Sequence, residues 1–212
     1  MGNYTILSFE EANKIRQLQK LQIKYQVPEN YAIVYETMEQ QILLFPAKGS
    51  KVVLFPDERV MNEVISQTGI PIESDNFFVR HKTFILSWEV NAHQALSSLS
   101  TKIQFDLSQP LRFEDIDLLS KKLTLLLKGM GKEAIFETYY LSFAAVLGKI
   151  IIDNVEHAEW NLFQYYDINP YFEPDVVIHG KKTHIFDTIG DDMGRKKVRL
   201  ANSLKRIGIK CG

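Results

Sequence analysis

From about Glu133 to Asp153 the chain carries a helical segment that is apolar on almost every side. A helix with one polar face can lie on a surface, but a helix without one has to be enclosed. Any fold open to this sequence must therefore wrap other elements around that segment. Phe136, Leu147 and Ile151 are expected to be inaccessible to solvent. The most apolar stretch, Tyr139 to Ile152, is interrupted by Lys149 and is too short to span a bilayer, so enclosure by protein is expected. Ala144 and Gly148 lie four apart on one face, a spacing that lets another element approach closely.

A second helix precedes it. Ile116, Leu119, Leu123, Leu126 and Met130 form an amphipathic stripe, with Lys121, Lys122 and Lys128 away from it. Together the two helices make a central packing layer. Strand signals flank them on both sides. Tyr31 to Tyr35, Ile42 to Phe45 and Val52 to Phe55 are short runs rich in β-branched or aromatic residues, and turn chemistry at Pro46 to Ser50 joins the last two as an antiparallel hairpin. Phe77 to Arg80, Phe84 to Trp88, Glu159 to Phe163, Val176 to His179 and Thr183 to Phe186 read as further strands, and Gly180-Lys181-Lys182 as the turn between the last two.

Helix starts are marked by capping chemistry. Ser8 to Glu11 reads as a capping box opening a helix that runs through Ile15, Leu18, Leu21 and Tyr25 and stops at Pro28. Asp57 caps a helix to Gln67, with Gly69 past its end. Asn91 to Leu99 is a short helix, and a terminal helix from Asp192 to Arg206 presents Leu200, Leu204 and Ile207 on one side. The expected fold class is α+β, with antiparallel sheet pieces in both halves packed on the central helices. The change of character at Ser108 to Pro110 divides the chain into residues 1–108 and 109–212, expected to pack together.

Composition narrows the function. Net charge is −1 over 212 residues, so no global field draws the molecule to nucleic acid or anionic lipid. The single cysteine, Cys211, excludes an intramolecular disulfide and a cysteine-based zinc cluster, and a free thiol is expected. No secretory leader is visible at the N-terminus, which points to the cytoplasm and away from a membrane. The glycines are scattered and form no phosphate-cradling loop. His-Glu-x-x-His and Gly-x-Ser-x-Gly are absent from the sequence. No cofactor, no metal and no catalytic residue is therefore assigned.

Two constellations have an ordinary structural explanation. His179 and His184 flank the Gly180 turn and would face each other across a hairpin, but cross-strand polar pairs are ordinary in sheets. Asp191-Asp192 at a helix start favours the helix dipole and needs no chemistry.

The segment from Asp153 to Asp192 is the most unusual. It holds nine acids against Lys181 and Lys182, interleaved with Trp160, Phe163, Tyr165, Tyr166, Tyr171 and Phe172. Trp160 is expected in the core. The proline-bounded loop Tyr165 to Phe172 is expected at the surface, where rigid aromatics supply contact area and neighbouring acids steer a basic partner. The candidate partner-binding residues are Tyr165, Tyr166, Tyr171, Phe172, Glu173 and Asp175. Its counterpart is the basic stretch from Arg195 to Lys210, seven cations with no acid among them and the only hint of nucleic acid.

Residues 113 to 190 resemble uncharacterised small bacterial domains encoded near secreted toxins. The resemblance lies in a buried helix ending at Leu147-Gly148, a strand with Trp160, and Pro170-Tyr171-Phe172-Glu173-Pro174 leading into a hairpin. It implies a non-enzymatic, immunity-type protein that neutralises a toxin domain by binding it. The near-neutral charge departs from the acidic balance of an inhibitor aimed at a basic nuclease. The expected function is a protein-binding module of this kind. The alternative is a small hydrolase or carbohydrate-binding enzyme using carboxylates and aromatics of residues 153–192.

Overall fold

The structure is a computed structural model that describes residues 4–28, 31–46, 50–72, 76–165 and 170–210. In chain order the elements are β1 (Thr5–Ser8), α1 (Phe9–Leu18), β2 (Ile23–Gln26), β3 (Ile33–Glu36), β4 (Ile42–Phe45), β5 (Lys51–Phe55) and α2 (Glu58–Thr68). There follow α3 (Phe77–Arg80), α4 (Lys82–Leu86), α5 (Trp88–Ile103), α6 (Ile116–Leu126) and α7 (Lys132–Asn154). The chain then runs through β6 (Ala158–Tyr165), β7 (Tyr171–Ile178), β8 (Lys181–Lys182), α8 (Ile185–Gly194) and α9 (Leu200–Arg206). The fold is α+β, with antiparallel sheets ordered β1-β5-β4-β3-β2 and β6-β7-β8.

The chain divides into two compact units. One comprises residues 1–82 with 164–173, and the other residues 83–163 with 174–212. The break thus falls at Lys82/Thr83, not near residue 108, and the ends of β6 and β7 nearest their loop group with the first unit.

In the first unit β4 shows why its run Ile42-Leu-Leu-Phe45 is apolar throughout. Side chains alternate across a strand. Ile42 and Leu44 join Val53, Phe55 and Met61 in one cluster, with residues of α2 packed against it. Leu43 and Phe45 join Tyr35, Val52 and Ala12 of α1 in the other. The β4–β5 register pairs Leu43 with Leu54 and Leu44 with Val53, so like faces meet. Both predicted caps are present: the Glu11 amide donates to Ser8 Oγ at 3.2 Å, and the Val60 amide to Asp57 Oδ1 at 2.7 Å. Across the far edge of the sheet, Tyr25 on β2 donates to Glu58 Oε1 at 2.8 Å, and Lys24 donates to Glu58 Oε2 at 2.8 Å.

Two expectations fail in this unit, and the second extends past Lys82 into the other unit. The first helix stops at Leu18, not at Pro28. Lys20 takes a left-handed conformation (φ 51°), and Ile23, Tyr25 and Val27 then alternate with polar residues in a strand pattern. Leu18, assigned to the buried stripe, is 83% exposed. The expected strands Phe77 to Arg80 and Phe84 to Trp88 are helical. Short apolar runs do not distinguish helix from strand by periodicity, and here Asn76 decides, accepting a hydrogen bond from the Phe78 amide at 2.8 Å as an N-cap.

In the second unit α7 is the central helix, with α5 and α8 packed along it. It is long and apolar enough to cross a membrane by length and composition, and ten of its residues are buried within the fold. Leu147 and Ile151 are fully buried as expected. Phe136 is only half-buried, at the open end of the helix, where its ring meets Tyr140 edge-on.

The β7–β8 turn consists of His179 and Gly180, both left-handed (φ 48° and 77°), a conformation that fits a two-residue hairpin. β8 is accordingly only Lys181–Lys182, and Thr183 to Phe186 is not a strand but the entry to α8. The terminal helix expected from Asp192 to Arg206 is two helices. The chain breaks after Gly194 and restarts at Leu200, with Lys196 left-handed (φ 52°) in the connection.

Candidate functional site

Two of the residues read as a binding surface, Tyr165 and Tyr171, meet where β6 ends and β7 begins. Tyr165 is the last residue of β6 and Tyr171 the first of β7. Their rings stack at 5.5 Å between centroids and 16° between planes. Tyr171 also stacks on Phe78 of α3, at 5.6 Å and 12°. Phe78 in turn meets Phe77 edge-on at 5.8 Å, and Phe77 lies 4.2 Å from the His81 ring. All five side chains are half-buried. The result is an aromatic ladder, each ring fixed by its neighbour, contributed by two strand ends and a short capped helix.

Offset stacking of this kind holds rings in one orientation and adds stabilisation of about 0.5–1.5 kcal/mol per pair beyond the area buried. Phe77, Phe78 and His81 were missed from sequence because their segment read as a strand. The Asn76 cap before two adjacent phenylalanines was the available signal.

The other candidates divide. Tyr166 lies outside the described residues. Phe172 is half-buried and, as the next residue on β7, points to the opposite face from Tyr171. Glu173 is half-buried on the Tyr171 face. Asp175, expected at the surface to steer a partner, is instead buried at 3% exposure. Its carboxylate accepts hydrogen bonds from the Thr183 hydroxyl (2.9 Å) and from the backbone amides of Val176 (2.9 Å), His184 (2.9 Å) and Ile185 (3.2 Å). It supplies the start of α8 with the acceptor that helix lacks locally, since His184 makes no side-chain cap.

Among the carboxylates of the enzyme reading, Asp153, Asp191 and Asp192 sit in ion pairs within the fold. Asp153 pairs with Lys149 at 2.9 Å and accepts from the Leu111 amide at 2.7 Å. Asp191 and Asp192 are not at a helix start. They occupy the last turn of α8, where the dipole disfavours negative charge, and Arg206 offsets them with ion pairs at 3.0 and 2.9 Å. Buried Asp192 also accepts from the Arg199 amide (2.7 Å) and the Ser203 hydroxyl (3.2 Å), joining α8 to α9.

His179 and His184 do not face each other. His179 is inside the turn with its ring 5.7 Å from His157, and His184 precedes α8. Among the described residues no group of three or more His, Cys, Asp or Glu side chains is arranged to hold a metal ion. Trp160 is half-buried, edge-on to the Trp88 ring at 5.1 Å and against Gly148, while Lys182 lies 3.5 Å over the Phe163 ring.

No family model matches this chain, and no curated protein matches it. A crystal structure at 1.50 Å resolution, from Bacteroides thetaiotaomicron VPI-5482, is similar over 95% of this chain and 81% of its own, with a TM-score of 0.42 and 10% identity.

Proposed function

We propose that this chain is a non-enzymatic protein-binding module of the immunity type, which holds a toxin domain inactive by binding it through the aromatic ladder at the ends of β6 and β7. The observation that supports this reading is the stack of Phe78, Tyr171 and Tyr165, half-buried and parallel. Tyrosine gives a large contact area with few rotatable bonds, so little freedom is lost when it is covered. Rings already fixed by their neighbours lose less still, which favours their use as anchors of a protein interface. Asp175 has no part in this surface.

The test is titration calorimetry between the full chain and a purified toxin domain, chosen from the products of the genes that neighbour its own. Tyr171→Ala and Tyr165→Ala should each weaken binding by about 2 kcal/mol or more, near thirtyfold in Kd, with far-ultraviolet circular dichroism unchanged. Binding at unaltered affinity by both folded variants would remove the ladder from the interface.

A further inference from the structure

The connection between α8 and α9 borders a cleft of about 770 Å³, open to solvent on one side, whose walls are charged. Arg195, Lys197, Arg199, Lys205 and Arg206 line it, against only Asp191 and Asp192, leaving three more cations than carboxylates. The two groups of charges differ in how they are held. The Arg206 guanidinium is fixed: it contacts Asp191 at 3.0 Å, Asp192 at 2.9 Å and the Thr188 carbonyl at 3.1 Å. Arg206 alone offsets both aspartates. Arg195, Lys197, Arg199 and Lys205 are exposed, and among the described residues their side chains have no ion-pair or hydrogen-bond partner. Lys196, in the same run, is turned to another use, donating to the Met130 carbonyl at 2.7 Å. Its neighbours on either side are the ones that line the cleft.

Four unpartnered cations lining one cleft repel each other and add up to a positive potential within it. An anion seated among them relieves that repulsion. The cavity volume is that of a small-molecule site and exceeds what one phosphate fills. Arginine and lysine together suit phosphoryl oxygens, the first by its planar fork and the second as a mobile point charge. A nucleic-acid duplex fits less well, because α9 has seven residues and is only about 10 Å long. We infer that the α8–α9 cleft binds a small ligand carrying two or more phosphoryl groups, such as a nucleoside polyphosphate.

Calorimetric titration of the full chain at low ionic strength tests this with three probes: inorganic triphosphate, ATP and a short DNA duplex. Triphosphate should bind, and added salt should weaken it. The Lys197→Ala/Lys205→Ala double variant should lose at least about tenfold in affinity. Lys14→Ala/Lys51→Ala, with the same change in net charge on exposed lysines of the other unit, should lose little. ATP binding tighter than triphosphate would add a base-contacting part to the site, whereas equal affinity would confine recognition to the phosphates. The inference is overturned if millimolar triphosphate gives no binding, if both double variants weaken equally, or if the duplex binds more tightly than triphosphate. These residues are separate from the aromatic ladder, so failure here leaves the toxin-binding proposal standing, and the reverse.

Discussion

Asp175 on β7 and Thr183 before α8 are joined by a hydrogen bond of 2.9 Å from the threonine hydroxyl, and both side chains are buried. The same carboxylate takes the amides of His184 and Ile185. A buried acceptor with several donors cannot be removed cheaply, because each donor left without a partner costs about 1–3 kcal/mol. Asp175→Ala should therefore destabilise the protein by about 3 kcal/mol in urea denaturation, and Asp175→Asn by less, since the amide oxygen still accepts. A loss for Asp175→Ala below about 1 kcal/mol would mean that water replaces the carboxylate without strain.

That aspartate also marks where the sequence stops being readable. Elements built on local patterns were legible: the Ser8 and Asp57 caps, the β4 and β5 strands, and helix α7, apolar on almost every side. Nothing in the local pattern of Thr183-His-Ile-Phe186 speaks for a helix start, because the capping acceptor comes from Asp175 on β7, across the β7–β8 hairpin. Asp192 does the same for α9, accepting from the Arg199 amide, and so splits one expected helix into two. The candidate site was half legible. Tyr165 and Tyr171 could be named from composition, but the ring that joins their stack, Phe78, depended on reading Asn76 as a cap.

Leu147 carries the simplest prediction. It is fully buried in α7, the helix with α5 and α8 packed along it. Truncation removes transfer energy and leaves a cavity that close-packed neighbours fill only in part. Leu147→Ala should cost about 2–5 kcal/mol in chemical denaturation. Phe136→Ala, at the half-buried end of the same helix, should cost less. Equal losses would mean that the two ends of α7 are equally enclosed.

Gly148 and Trp160 make a coupled pair. A Cβ placed at Gly148 would collide with the six-membered ring of the Trp160 indole, at Cη2 and Cζ2. The indole is also held edge-on by Trp88, so it has little room to give. Gly148→Ala should destabilise by about 1–3 kcal/mol, as overpacking does. In a Trp160→Phe background the colliding ring atoms are gone, and the same substitution should cost about 1 kcal/mol less. A double-mutant cycle with no coupling would place the strain elsewhere.

Tyr25 is expected to titrate late. Burial, then the hydrogen bond to Glu58 and the charge of that carboxylate, push its phenol from the ordinary value of 10.0 up to about 12. The hydrogen bond from Lys24 and that from Tyr25 hold Glu58 below its usual range, so the acceptor is charged throughout the neutral and alkaline region. A phenol whose folded pKa lies above its unfolded value favours the folded state while it stays protonated. The stabilisation is complete below about pH 10 and is lost as pH rises through about 12. Tyrosinate absorbance followed against pH should contain a component near pH 12 that Tyr25→Phe removes. Glu58→Gln should move that component downward, since the neutral amide no longer opposes ionisation of the phenol. If Tyr25→Phe leaves the alkaline titration unchanged, the phenol is better solvated than its contact with Glu58 requires.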